Sequence, residues 1–147
     1  MIEFTMRIIP PKTTSQQKRA VAIFGKGGKY AGIRFFKGKK VEQASNDLAS
    51  LMLPYQPPAP LDGPLCLHLT FTWPWRKSES KKRMALGSLP MDTRPDVDNL
   101  AKLCMDNMVK LGFMGDDGQV AELRVRKFWG DLPGIRVVLY SIVDEVA

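Results

Sequence analysis

Two aspartates stand two residues apart in Arg94-Pro95-Asp96-Val97-Asp98-Asn99-Leu100-Ala101-Lys102, and a second acidic pair follows in Gly115-Asp116-Asp117-Gly118-Gln119. Between them the apolar residues recur at helical spacing. Asp96, Asp98 and Asp117 therefore flank the two ends of one short element, beside a lysine one turn along. Three carboxylates do not share a pocket cheaply: at ~4 Å and an effective dielectric of ~20, each pair repels by about 4 kcal/mol. A divalent cation offsets that repulsion, and hard carboxylate oxygens suit magnesium or manganese. Each acid also has a plainer explanation. Asp96 can start the helix, Asp98 can charge its first turn, and Asp117-Gly118 can be a turn before a strand. The combination, in a basic chain, favours a metal site. An EF-hand is excluded, because Leu100 and Ala101 stand where a ligand and the invariant glycine are required.

The chain of 147 residues has the size of one domain. Hydrophobic residues make up 44% and charged residues 25%, enough for an ordinary core. The formal net charge of +7 favours a polyanionic partner. No apolar run approaches the ~20 residues of a membrane span, and the start carries no signal peptide, so nucleic acid is the expected partner and a membrane is not. Only Cys66 and Cys104 occur, neither in a CxxC pair, so neither a disulfide framework nor a zinc site is suggested. A single histidine, His68, rules out any site needing two. The cysteine usage points to a reducing, cytoplasmic setting.

The elements that must position the acids are read from periodicity. Ile2 to Ile8 alternate as a strand that Pro10-Pro11 stops. Lys12 to Arg19 reads as a polar, basic loop, solvated or contacting phosphate. Val21 to Phe24 and Ile33 to Phe36 pair as a hairpin about the turn Gly25 to Lys29, whose glycines fit no nucleotide-binding pattern. Lys39 to Leu53 is a helix with Val41, Ala44, Leu48, Leu51 and Met52 inward, ended by Pro54. Leu65 to Trp73 is the cleanest strand. Cys66 and His68 share its other face and read as strand residues rather than ligands.

Arg76 to Arg83 carries five basic residues and one acid and breaks all periodicity. It reads as a solvated loop or a phosphate-contacting one, with Trp73 and Trp75 beside it able to stack on bases or simply to pack. A second helix spans Val97 to Leu111, with Leu100, Leu103, Cys104, Met108 and Leu111 inward and Gly112 as its stop. On another face Asp98, Lys102 and Asp106 fall at i, i+4 spacing. Val120 to Trp129 and Ile135 to Val143 read as two strands joined as a hairpin through Gly130 to Gly134. Asp144 to Ala147 reads as a frayed tail. The fold class expected is α+β, a single domain over 1–147 with a mixed sheet and about two main helices.

The stretch from Arg94 to Lys102, then Asp106, Gly112-Phe113, Asp116-Asp117 and Gln119-Val120, resembles the RusA family of Holliday-junction resolvases. The resemblance is in register from Arg94 to about Lys127, and Ile2 to Pro11 fits the family's start more loosely. It implies a RusA-like fold and a small, dimeric, magnesium-dependent endonuclease of bacteria and their phages, acting on four-way branched DNA in recombination and repair. Carried over by position, the resemblance makes Asp96, Asp98 and Asp117 the metal-binding catalytic carboxylates, with Mg2+ or Mn2+, and makes Lys102 a catalytic lysine. It implies a cut leaving a 5′-phosphate and a 3′-hydroxyl. The family's usual asparagine-containing stretch is here Thr13-Thr14-Ser15-Gln16-Gln17, and the chain is longer around Arg76 to Asp92. Phosphate contacts are expected from Lys12, Lys18, Arg19, Arg76, Lys77, Lys81, Lys82 and Arg83. Two other readings compete: a less selective branched-DNA or flap nuclease, and a non-catalytic nucleic-acid-binding module whose acids are only turn and capping residues.

Overall fold

Ten residues without a charge among them, Leu65–Pro74, form the strand on which the rest is built. Their alternation sends Leu65, Leu67, Leu69, Phe71 and Trp73 into the core and Cys66, His68, Thr70 and Thr72 to the opposite face. The computed structural model describes residues 1–12, 18–37 and 39–143, without the side chains of residues 18–20 and 35–37. In chain order the elements are β1 (Ile2–Met6), β2 (Lys18–Phe24), β3 (Tyr30–Lys37), α1 (Lys39–Met52), β4 (Leu65–Pro74), α2 (Lys81–Met84), β5 (Ser88–Pro90), α3 (Val97–Lys110), β6 (Val120–Gly130) and β7 (Gly134–Ser141). The main sheet has the order β1-β7-β4-β6-β5, with β4 and β6 parallel and the other pairs antiparallel. This is a mixed sheet with two long helices, an α+β fold.

Helices α1 and α3 cover one face. Leu48 and Met52 of α1 and Leu100, Leu103, Cys104 and Met108 of α3 join Phe4, Met6, Ile135, Val137 and Leu139 in one buried cluster with the inward residues of β4. The predicted helical stripes are buried as expected, except that Leu51 and Leu111 are only partly so. Buried Asn107 is satisfied at the contact of the two helices, accepting from Ser45 Oγ at 3.1 Å and donating to Leu103 O at 3.1 Å. Gly112, at a φ of +76°, closes α3 as a left-handed cap. Phe113 N then bonds back to Met108 O.

Three expectations need correction. β6 and β7 do not form a hairpin: they flank β4, one on each side. β4 is half or fully buried along its whole length, so it takes the centre and gains a neighbour on both edges. The three residues 131–133 cross the end of β4. Two strand spacings are about 9.6 Å, within reach of so short a link when extended. Glycines at both ends of the crossing allow the approach: a Cβ on Gly130 would lie 2.9 Å from Thr72 Cγ2, and one on Gly134 2.9 Å from Met6 O. Second, the basic stretch after β4 is not all loop, because Ser80 accepts a hydrogen bond from Arg83 N and caps the single turn α2. The short strand β5 then follows. Third, Lys18 and Arg19 belong to β2, which with β3 makes the expected hairpin as a separate two-stranded sheet, rather than to the preceding loop. Thr13 to Gln17 and the tail from Asp144 to Ala147 lie outside the described residues.

Candidate active site

Helix α3 begins at the acids. Asp96 is its N-cap, with extended backbone, and its carbonyl accepts the first helical bond from Leu100 N at 3.1 Å. Its carboxylate does not cap the helix. Asp98 stands in the first turn, where the helix dipole favours a negative charge. Among the described residues neither carboxylate has a hydrogen bond or ion pair. Both residues are exposed.

The segment entering the helix is held by a lysine from the sheet. Lys127 Nζ donates to Thr93 O at 2.5 Å and to Pro95 O at 2.8 Å. These two carbonyls bracket the cis Arg94–Pro95 peptide, and Asp96 follows directly. Lys127 is thus a positioning residue for the acids, one that the sequence analysis missed. The sequence shows only that Lys127 shares an alternation with Val125 and Trp129; the structure pairs these three with the inward Leu69, Phe71 and Trp73. A lysine in an inward position needs polar partners.

The second acidic pair is arranged differently. Asp116 accepts from Gly118 N at 3.2 Å and Gln119 Oε1 accepts from Asp116 N at 3.1 Å, a capping box on the 3-10 turn Asp117–Gln119. Gln119 Oε1 also accepts from Gly115 N, and its Nε2 donates to Leu61 O and Gly63 O. Gln119 therefore ties this turn to the segment before β4, a second positioning role not foreseen. Asp117 points the other way and pairs with Lys102 Nζ at 3.0 Å, across from α3. Lys102 also pairs with Asp106 at 3.0 Å, as the i, i+4 spacing predicted.

The charges shift accordingly. The hydrogen bond from Lys102 holds the Asp117 carboxyl below the usual carboxylate value, helped by the ammonium charge. Asp106 first, then Asp117, raise the Lys102 ammonium above the ordinary lysine value. Lys102 stays a cation and Asp117 an anion across the neutral range. Both remain more than a third exposed, so the pair is a surface one worth about 0.5 kcal/mol. Its interest is that it fixes where a positive charge and a carboxylate stand together.

By donor type Asp96, Asp98 and Asp117 fit a hard divalent cation: all are carboxylates, and two are uncommitted. Lys102 joins Asp117 directly to the helix that carries Asp96 and Asp98. Among the described residues, however, no trio of carboxylates has ligand oxygens within 4.8 Å of one another.

The expected phosphate-contacting residues fall on three stretches: Lys12, the start of β2, and the segment from Arg76 to Arg83. Lys12, Lys77, Lys81 and Lys82 are exposed. Arg76 and Arg83 both pair with Glu79, at 3.0 and 3.4 Å, and Arg76 also lies over the Trp129 ring. The side chains of Lys18 and Arg19 lie outside the described residues. Trp73 is not available for stacking on bases: it is buried, and its Nε1 donates to Pro10 O. Trp75 is partly exposed and donates to Asp131.

A family model, Endodeoxyribonuclease RusA, matches residues 3–140. The chain belongs to the RusA family of endodeoxyribonucleases. The RusA match runs from β1 into β7, so every element that builds the site lies within it. The chain is also similar to YqaN of Bacillus subtilis (strain 168), a protein described as uncharacterized, with 31% identity over 93 residues. That alignment covers 60% of this chain and 65% of YqaN, less than two thirds of the relative's length.

Proposed function

We propose that the chain is a divalent-metal-dependent endodeoxyribonuclease that resolves Holliday junctions in recombination and repair. The observation that carries this reading is the pair of uncommitted carboxylates, Asp96 and Asp98, at the start of α3 beside the Lys102–Asp117 pair, in a chain of the RusA family. Asp96, Asp98 and Asp117 would hold Mg2+, with Mn2+ as a substitute. When bound, the ion supplies activation of a water and neutralisation of charge on the phosphate. The protein's own contribution is positional and electrostatic. Lys127 fixes the approach to Asp96, and Gln119 fixes the turn that carries Asp117. Lys102 keeps Asp117 ionised and presents a permanent cation where negative charge grows on the phosphate during cleavage.

The basic residues Lys12, Lys18, Arg19, Arg76, Lys77, Lys81, Lys82 and Arg83 are proposed to contact phosphates, which fix register without reading sequence. Arg76 and Arg83 would exchange Glu79 for phosphate. A homodimer suits the substrate, because a four-way junction has approximate two-fold symmetry and an isologous pair presents two sites to two strands. We place the activity in the bacterial cytoplasm, as one domain over 1–147. No helix among the described residues is long and apolar enough to cross a membrane.

Cleavage of labelled four-way junction, flap and linear duplex, each with and without Mg2+, tests the proposal. Selective paired cleavage of the junction is expected. Equal cleavage of flap and junction would replace it with the less selective nuclease, and binding without cleavage would replace it with the binding module.

A further inference from the structure

The sheet face turned away from α1 and α3 carries a cluster that nuclease chemistry does not use. Cys66 and His68 share that face of β4, and Cys66 Sγ lies 3.3 Å from His68 Nε2. β6 brings in Glu122 by a specific irregularity. Leu65 pairs with Val120, but Cys66 pairs with Glu122, so the register shifts by one residue between them. Without that shift Ala121 would stand beside Cys66, and Glu122 would point to the other face. One ligand atom each from Cys66, His68 and Glu122 lie within 4.8 Å of one another, the only such trio among the described residues. Cys66 is buried yet is no member of the cluster beneath the helices. His68 is half-buried and Glu122 exposed, which leaves an entry path from solvent.

We propose that Cys66, His68 and Glu122 form a binding site for a transition-metal ion of the Zn2+ class, separate from the carboxylates around α3. A thiolate, an imidazole and a carboxylate are a zinc donor set, whereas magnesium takes oxygen ligands alone. The spacing fits. Metal–sulfur and metal–nitrogen bonds of about 2.3 and 2.0–2.1 Å at a tetrahedral angle put S and N about 3.6 Å apart. The observed 3.3 Å needs to open by only a few tenths of an ångström. Glu122 closes the remaining gap by rotating an exposed side chain. The thiol proton leaves to solvent on binding. Thiolate and carboxylate together then match the ion's two positive charges, so Arg124, paired with His68 on the same face, meets no net cation. Three protein ligands leave a fourth position for water. The ion would clamp β4 to β6 three residues after Gln119, at the strand that leads out of the Asp117 turn.

The other thiol provides the control. Cys104 is fully buried in α3, and burial pushes its thiol up to about 12. Among the described residues it belongs to no group of three His, Cys, Asp or Glu ligand atoms.

Cobalt(II), added to the reduced full chain, is the probe. We expect one equivalent to produce an intense thiolate-to-cobalt absorption that Zn2+ bleaches and excess Mg2+ leaves unchanged. Cys104→Ser should keep this band and Cys66→Ser should lose it. Zn2+ should raise the melting temperature of the wild type and leave that of Cys66→Ser unmoved. Should Cys66→Ser fail to fold, His68→Ala and Glu122→Gln replace it, because both side chains reach solvent; each should weaken cobalt binding about tenfold or more. No thiolate band in the wild type, a band that survives Cys66→Ser, or unchanged affinity in both surface variants would overturn the proposal.

Discussion

The two acidic pairs at the ends of α3 look alike in the sequence and behave oppositely in the fold. Asp116 and Asp117 are both engaged, one in a capping box and one with Lys102. Asp96 and Asp98 have no protein partner among the described residues, although Asp96 occupies the very position where a side-chain cap is expected. A carboxylate that could cap a helix and does not is left with its full charge unpaired. The fold gains little from it, which is why it is proposed as a metal ligand. Asp116 holds its turn together, Asp117 is held in place by Lys102, and Asp96 and Asp98 make no hydrogen bond or ion pair among the described residues.

Removing the unpartnered acids should have the largest effect on activity and the smallest on the fold. Asp96→Asn and Asp98→Asn should each abolish single-turnover cleavage of a four-way junction, as loss of a metal-holding carboxylate does. Junction affinity and melting temperature should stay near wild type, because neither carboxylate makes a hydrogen bond or ion pair among the described residues. A melting temperature lowered together with activity would break the distinction between the two pairs.

Lys102→Ala comes next. A surface ion pair alone predicts almost no change. A cation that meets charge developing in the reaction predicts a rate loss of ~10²–10³ with affinity nearly intact. A rate within twofold of wild type would return Lys102 to the surface-pair role. Lys127→Met should follow, with a rate loss of roughly tenfold, since small misplacements of a reacting group are costly. Its positioning role predicts a higher Mg2+ concentration for half-maximal rate at a temperature where the variant is fully folded. An unshifted Mg2+ dependence would make Lys127 a stability residue only.

Asp116→Ala should reverse the pattern of Asp96→Asn. Loss of a cap costs about 1 kcal/mol, a fall of about 3 °C in melting temperature for a chain of this size, while cleavage changes by less than about threefold. The smallest effect concerns pH. Asp117 has a lowered value in the fold, so its pairing stabilises above the ordinary carboxylate value and loses that contribution as pH falls through the lowered one. In Lys102→Ala the Asp117 titration, followed by carbon NMR of the carboxyl, should move upward. An unmoved midpoint would show that Lys102 does not govern it.

Local pattern carried most of this fold. The stripe Leu100, Leu103, Cys104 and Met108, the alternation of β4 and the stop at Gly112 are each written within a few residues. Non-local choices were not. Nothing between Gly130 and Gly134 says that another strand must pass between β6 and β7, because that order is set by which strand buries both faces. At the site, the spacing of Lys102 and Asp106 was legible, as both lie on one helix. The bond from Lys102 to Asp117 joins α3 to the turn before β6 and depends on how the two pack. The roles of Lys127 and Gln119 were hidden for the same reason: their partners are backbone carbonyls more than thirty residues away in sequence. That Glu122 stands beside Cys66 and His68 was not legible either, because it depends on the register shift in β6.

Whether Asp96 serves metal-dependent cleavage is decided by cutting of a labelled four-way junction by the wild type and by Asp96→Asn, with binding to the same junction measured in parallel. The wild type should make paired cuts with Mg2+ and none after chelation, and Asp96→Asn should make none while still binding the junction at near wild-type affinity. Undiminished cleavage by Asp96→Asn, or cleavage that persists without a divalent ion, would contradict that role.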